Sequence, residues 1–266
     1  ILTMDILKDV KFKYAIKDGH SFIKLKVLLK EEIVAYKLSD EQFDMNNVGK
    51  HLSPIKFHRS IQQNNSIIVD MRNYYESEVG NFKDALIPDA HYSEELLPKV
   101  DKMLQKHKDK KIHLYCTGGI RCEKASSYLI KKGYKNVFQL SGGIIQYAHD
   151  IKEKKLESLF IGKNFVFDDR LSERVTTDII AKCHQCFKPS DNHKNCKNDT
   201  CHILFIQCDE CSLKFEDCCS FDCKNFKNID FDERELLRKD KNKKVTSAKL
   251  SAKFRPKLYK LFNYWK

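Results

Sequence analysis

Tyr115-Cys116-Thr117-Gly118-Gly119-Ile120-Arg121 is the stretch whose reading decides the fold. Before it, Lys111-Ile112-His113-Leu114-Tyr115 alternates and favours β structure, so it reads as a strand. After it, Cys122 to Lys132 reads as a helix, with Ala125, Tyr128 and Leu129 at helical spacing and Gly133 as a stop. Cys116 then falls on a turn between the carboxyl end of a strand and the amino end of a helix. Gly118 and Gly119 let that turn wrap tightly, because glycine accepts positive φ without a Cβ clash. A tight loop of this kind aims several backbone N–H groups at one point, and the helix dipole favours negative charge there. The same field stabilises a thiolate at Cys116, with Arg121 adding a full positive charge. Thr117, Gly118, Gly119 and Ile120 thus read as a cradle for a nucleophilic sulfur and for the anion it attacks or carries. The competing reading is a strand–turn–helix junction with a buried, inert cysteine.

Working outward, residues 57–157 read as one domain. Ile67-Ile68-Val69-Asp70 is a short apolar run ending in an acid, as a buried parallel strand often does. Asp70-x-Arg72-x-x-x-Glu76 follows it, and a structural role for this trio is preferred over a chemical one. Leu96 to His107 reads as a helix. Val137-Phe138-Gln139-Leu140 reads as a strand, ending in Ser141-Gly142-Gly143 before a helix through Ala148. Strands alternating with helices imply α/β architecture with a parallel sheet. Ligands of such sheets sit at the carboxyl ends of strands, where Cys116 is placed.

The chain has 266 residues, room for two domains or one with additions, and 41% are hydrophobic, enough for a packed core. No apolar run approaches the roughly 20 residues of a membrane span. Ile1-Leu2-Thr3-Met4-Asp5 lacks the pattern of a signal peptide and begins without Met, which points to a fragment. The net charge of +12 favours a polyanionic partner, nucleic acid first. Eleven cysteines in a chain of intracellular appearance point to metal or catalysis rather than disulfides.

Residues 1–45 read as the remainder of an amino-terminal α/β domain. They carry two alternating strands, Val10 to Tyr14 and Phe22 to Leu28, around Asp18-Gly19. Residues 41–56 read as a linker. Residues 158–230 form a Cys-rich region. It opens on Gly162-Lys163-Asn164-Phe165-Val166-Phe167-Asp168-Asp169-Arg170, whose aromatic residues read as core and whose polar ends read as turns. Nine cysteines follow: Cys183, Cys186, Cys196, Cys201, Cys208, Cys211, Cys218, Cys219 and Cys223. Cys183-x-x-Cys186 and Cys208-x-x-Cys211 each place two thiolates on one tetrahedral Zn²⁺, and there are ligands for two ions. Spacing does not pair the cysteines or say which is left over. Disulfides would need an oxidising compartment, and an iron–sulfur cluster is the weaker third reading. Residues 231–266 read as a basic tail. Its stretch from 234 carries twelve Lys or Arg against Glu235 and Asp240, with Tyr259, Phe262, Tyr264 and Trp265 interleaved. That composition suits either a solvated tail or RNA binding through phosphate contacts and base stacking.

The Cys-x4-Arg loop and the Asp70-x-Arg72-x-x-x-Glu76 run resemble the rhodanese superfamily, in the sulfurtransferase form of its loop. That resemblance implies structural ion pairing within the trio Asp70, Arg72 and Glu76. The resemblance narrows with Tyr115 to Ala125, Gly162 to Asp168, Cys183-His184-Gln185-Cys186 and Cys218-Cys219-Ser220. Together these are similar to the bacterial rhodanese-like tRNA uridine hydroxylases. The resemblance implies a rhodanese-like domain preceded by part of a small acylphosphatase-like domain. It implies oxygen-dependent hydroxylation of the wobble uridine of tRNA, position 34, to 5-hydroxyuridine, in the cytoplasm, with Cys116 catalytic. Molecular oxygen is then a co-substrate; no organic cofactor is evident. Cys122 reads as a helix-face core residue, with a resolving thiol as the less favoured role. A rhodanese-type sulfurtransferase carrying a persulfide on Cys116 is the alternative, since both chemistries need an activated thiolate. The zinc region and the basic charge favour the hydroxylase.

Overall fold

The computed structural model describes residue 29 and residues 32–230. The two amino-terminal strands and the basic tail expected from the sequence lie outside the described residues. The central sheet is parallel throughout. Strands β1 (Lys50–Leu52), β2 (Ser66–Asp70), β4 (Lys111–Tyr115) and β5 (Asn136–Leu140) lie in the order β1-β5-β4-β2. Helix α1 (Pro54–Ile61) follows β1 and opens on a proline, whose missing N–H is no loss at a helix start. A one-turn helix α2 (Tyr74–Ser77) and strand β3 (Gly80–Phe82) follow β2. Helices α3 (Ser93–Leu104), α4 (Ile120–Lys131) and α5 (Gly143–Glu153) complete the layer architecture.

The side-chain period of two along the strands sorts the core into two faces. Val69, Ile112, Leu114 and Cys116 face one cluster, with Leu96, Leu97, Val100 and Leu104 of α3 and Ala125 and Leu129 of α4. Ile68 and Tyr115 face the other, with Phe57 of α1 and Ile144, Tyr147 and Ile151 of α5. Each of these fully buried Leu, Ile or Phe side chains contributes about 1.5–3 kcal/mol relative to exposure. Helices therefore cover both faces, as a parallel sheet requires.

The segment read as a linker is not one. Lys50–Leu52 pairs in parallel with β5, and Leu52 enters the core beside Phe57. Its three residues are too short for a periodic signal, so only the partner strand reveals it. Upstream, Tyr36 and Phe43 join the cluster around α4, and Asp44 exchanges backbone hydrogen bonds with the Ser127 hydroxyl.

Strand β6 (Phe160–Phe165) pairs antiparallel with β3 and with β7 (Ser172–Arg174), in a three-stranded sheet ordered β3-β6-β7. The run Gly162 to Phe165 is thus tied to the sheet-bearing domain as well as leading into the Cys-rich region. That region holds a hairpin of β8 (His193–Asn195) and β9 (Leu204–Ile206), then α6 (Asp209–Phe215) and α7 (Phe221–Lys227). Ion pairs from Asp191 to Lys163 and Arg174, and a hydrogen bond between His184 and Glu78, dock it on β6, β7 and the end of α2.

Candidate active site and metal centres

Cys116 follows the last residue of β4, as expected, but α4 starts at Ile120 rather than Cys122. Arg121 and Cys122 consequently lie in its first turn. Gly119 is the residue before the helix, at φ 92°, a conformation that disfavours any side chain. Its N–H donates to Cys116 Sγ at 3.1 Å. The loop is held from beneath by the first turn of α5. Ile144 N–H donates to the Cys116 carbonyl at 3.0 Å, and Ile145 N–H to the Thr117 carbonyl at 3.2 Å. A Cβ on Gly143 would stand 2.6 Å from the Cys116 carbonyl oxygen and 2.5 Å from that of Thr117. Gly143 therefore lets two backbones meet, a role the sequence signalled only as a strand end.

The Cys116 thiol is almost wholly enclosed, at 1% exposure. Its pKa is nonetheless lowered to about 5. The hydrogen bond from the Cys122 thiol is the largest cause; burial opposes it, and the Arg121 charge and the N–H groups of Arg121 and Gly119 assist. Cys122 is pushed the other way, by burial first and then by its bond to Cys116. It is the helix-face core residue expected, and it also touches the candidate nucleophile.

Arg121 does not present a free fork to the loop. Its two terminal nitrogens donate to the Glu76 carboxylate at 2.6 and 2.7 Å, and Glu76 is fully buried. This corrects the trio Asp70, Arg72 and Glu76. Arg72 pairs with Asp70 at 2.7 Å, while it meets only the backbone carbonyl of Glu76. Asp70 also accepts from Ser77 and Tyr115, so that buried pair is fully satisfied. The Glu76 carboxylate belongs instead to the Cys116 loop. The signal for that was absent, since both arginines are chemically equal claimants on it. Two more residues at the loop went unread. Tyr36, buried, donates to the Arg121 carbonyl at 3.1 Å, and Phe167 places its ring 5.9 Å from the Arg121 guanidinium. Thr117 is buried near Glu76 and Arg121, whereas Ile120 is 54% exposed.

The cysteines sort into two groups of four. Cys183, Cys186, Cys208 and Cys211 form one, and Cys196, Cys201, Cys219 and Cys223 the other, with all sulfurs of a group within 4.8 Å of one another. The Sγ separations of 3.5 Å for Cys186–Cys208, 3.8 Å for Cys201–Cys219 and 3.5 Å for Cys219–Cys223 exceed any S–S bond. They match the ~3.8 Å edge of a tetrahedron with Zn–S of about 2.3 Å. All eleven cysteines are free thiols. Cys218 belongs to neither group, which corrects its place among the expected ligands. Its carbonyl accepts from Gln185 and Gln207, and its neighbour Cys219 supplies the sulfur.

Residues 53–150 match the Rhodanese-like domain family, and residues 161–224 match the Rhodanase C-terminal family. The chain is 48% identical over 258 residues to the tRNA uridine(34) hydroxylase of Leptospira interrogans, covering 96% of this chain and 70% of that protein. The chain belongs to the tRNA uridine(34) hydroxylase family. The hydroxylase of Yersinia enterocolitica is 50% identical over 222 residues, 83% of this chain and 63% of its own length. The chain thus spans less than two thirds of that hydroxylase. Among solved structures, a rhodanese-related protein from Thermoplasma volcanium is 21% identical with a TM-score of 0.33, over 38% of this chain and 92% of its own. Both the Cys116 loop and the two cysteine groups fall within the span matched to the Leptospira hydroxylase, since it leaves out only 4% of this chain.

Proposed function

We propose that this protein hydroxylates the wobble uridine of tRNA, position 34, to 5-hydroxyuridine with molecular oxygen as co-substrate, and that Cys116 is essential. The observation that carries this reading is the 48% identity to a named tRNA uridine(34) hydroxylase across nearly the whole chain. The site supports it. Cys116 is held as a thiolate at neutral pH, and Gly119 N–H and Arg121 hold its charge. Glu76 fixes Arg121 in place, so the cation stays beside the sulfur without donating to substrate. Thr117, Gly118 and Ile120 shape the remainder of the loop. Asp70 and Arg72 keep the end of β2 in position.

Each cysteine group would hold one Zn²⁺. Four thiolates leave no open coordination position, so the metals supply structure rather than chemistry. The natural setting is the cytoplasm, where tRNA is available and the thiols stay reduced.

The test is mass spectrometry of wobble-position nucleosides from cells with and without the gene, with Cys116→Ser as the variant. Serine keeps the shape but stays protonated near neutral pH, so modification is expected to vanish while tRNA binding and metal content persist. Labelled O₂ is expected in the new hydroxyl. Activity indifferent to oxygen, with a Cys116 persulfide that discharges to cyanide, would establish the sulfurtransferase instead. Full modification by Cys116→Ser would remove this residue from the mechanism.

A further inference from the structure

The loop joining β6 to β7 carries an aromatic ring that neither the fold nor the thiolate uses. Phe165 and Val166 are buried, at 3% and 5% exposure, yet Phe167 beside them is 60% exposed. Phe165 is packed edge-on against Tyr75 and His193, so the chain is anchored up to the buried Val166, directly before the exposed ring. Phe167 meets Phe165 edge-on at 5.3 Å and stands over the Arg121 guanidinium. Single exposed apolar residues are ordinary. Three features set this one apart.

The loop is braced. Asp168 accepts from the backbone N–H of Arg170 at 3.0 Å and from its Nε at 2.8 Å. Arg170 also pairs with Glu173, and Leu171 N–H closes on the Asp168 carbonyl at 2.9 Å. The ring is therefore displayed on a turn fixed by its own ion pairs, with little ordering entropy left to lose on binding. The position also matters. Ile120, 54% exposed, opens α4 immediately before the same arginine, so two exposed apolar side chains neighbour Arg121 of the Cys116 loop. Finally, the charge beside that ring is engaged. Arg121 gives both terminal nitrogens to Glu76 and is not available to fork a phosphate. What this part of the surface offers is an exposed aromatic ring with a cation over it.

An exposed aromatic ring beside an arginine is the chemistry that receives an unpaired nucleobase. Every base has a π-face, and single-stranded RNA is held by stacking on such rings. We propose that Phe167 is the platform on which the pyrimidine ring being modified stacks, with the exposed Ile120 beside Arg121 as a neighbouring apolar contact. The proposal rests on the tRNA reading above and adds the residue that positions the base.

The test uses the full-length chain and an anticodon stem–loop RNA carrying 5-iodouridine at the wobble position. Irradiation is expected to crosslink that base to Phe167, mapped by mass spectrometry. Phe167→Ala is expected to raise KM for tRNA about 10- to 100-fold, the loss of one stacked base. Phe167→Tyr and Phe167→Trp are expected to restore it, and Phe167→Leu is not. Unchanged metal content and unchanged Cys116 alkylation in Phe167→Ala would show that the variant is folded. A wild-type KM in that folded variant, or a crosslink that maps elsewhere, overturns the platform while leaving the hydroxylase reading intact. A crosslink at Phe167 in a protein that does not modify uridine would sink the hydroxylase reading and keep the platform. Neither crosslink nor modification would remove both.

Discussion

At the residue scale, Cys116 shows one interaction outweighing another. Enclosing a thiolate raises its pKa, yet the thiol of Cys122 donates to it and takes the value to about 5. Because the folded value is depressed, the reactive thiolate is present at neutral pH and is lost only as pH falls through about 5. Alkylation of Cys116, followed by mass spectrometry across pH, is expected to be flat above about pH 6 and to drop below it. A hydrogen bond to a charged group is worth about 1.5–3 kcal/mol. At 1.36 kcal/mol per unit, Cys122→Ala is then expected to raise the midpoint by about one to two pH units. Cys122→Ser keeps a donor and is expected to stay near the wild type. An unmoved midpoint in Cys122→Ala would assign the low value to Arg121 and the amides alone. The sequence showed Cys116 and Arg121 at once, because strand, glycines and charge are local signals. It did not show that Cys122 touches the sulfur, since that depends on α4 starting two residues early. A two-residue shift turns a helix by more than half a turn and changes which face each side chain occupies.

At the element scale, the Cys-rich region is organised by its hairpin and short helices. Strands β8 and β9 both lie between the two halves of the first group, and β9 lies between those of the second, so the two sets interleave along the chain. The sequence marked Cys183-x-x-Cys186 and Cys208-x-x-Cys211 as two thiolate pairs without grouping them, and the fold brings both pairs together. The remaining five could not be sorted by spacing, because Cys218 and Cys219 are adjacent and only one can face the second group. Elemental analysis is expected to give two Zn per chain. Cys218→Ala is expected to keep both, and Cys219→Ala to lose one. Ligand thiolates meet only in the folded chain, so metal and structure are linked. Chelation is expected to expose residues 183–223 to hydrogen exchange before the central sheet. Metal-free protein with native exchange protection there would overturn the assignment.

For the whole molecule, charge is distributed unevenly. Residues 234–266 hold twelve Lys or Arg against two acids, a net of +10 out of the chain's +12. The part that bears the candidate site is close to neutral by comparison. Neutralising phosphates releases counterions, so affinity for tRNA is expected to fall steeply with salt. A protein making six to ten phosphate contacts loses about 10³- to 10⁵-fold between 50 and 200 mM. Deleting 234–266 is expected to flatten that dependence without moving the Cys116 alkylation profile. An unchanged slope in filter binding would locate the phosphate contacts on residues 1–233.

The sequence alone determined the α/β class, the strand–Cys–loop–helix junction and the existence of a thiolate-rich metal region. Each of these is written in residues close together: a periodicity, a pair of glycines, a repeated Cys-x-x-Cys. Tertiary structure decided what depends on distant residues meeting. Lys50–Leu52 becomes a strand only because β5 receives it, and Glu76 becomes a partner of Arg121 only because the fold brings α2 to the first turn of α4. Cys218 is excluded from the metal groups by the direction of one side chain. Phe165 is buried while Phe167 is displayed, although both are phenylalanines in one short run. Composition and local pattern constrain the neighbours of a residue along the chain; which of two equivalent residues is enclosed is set by the elements that fold against it.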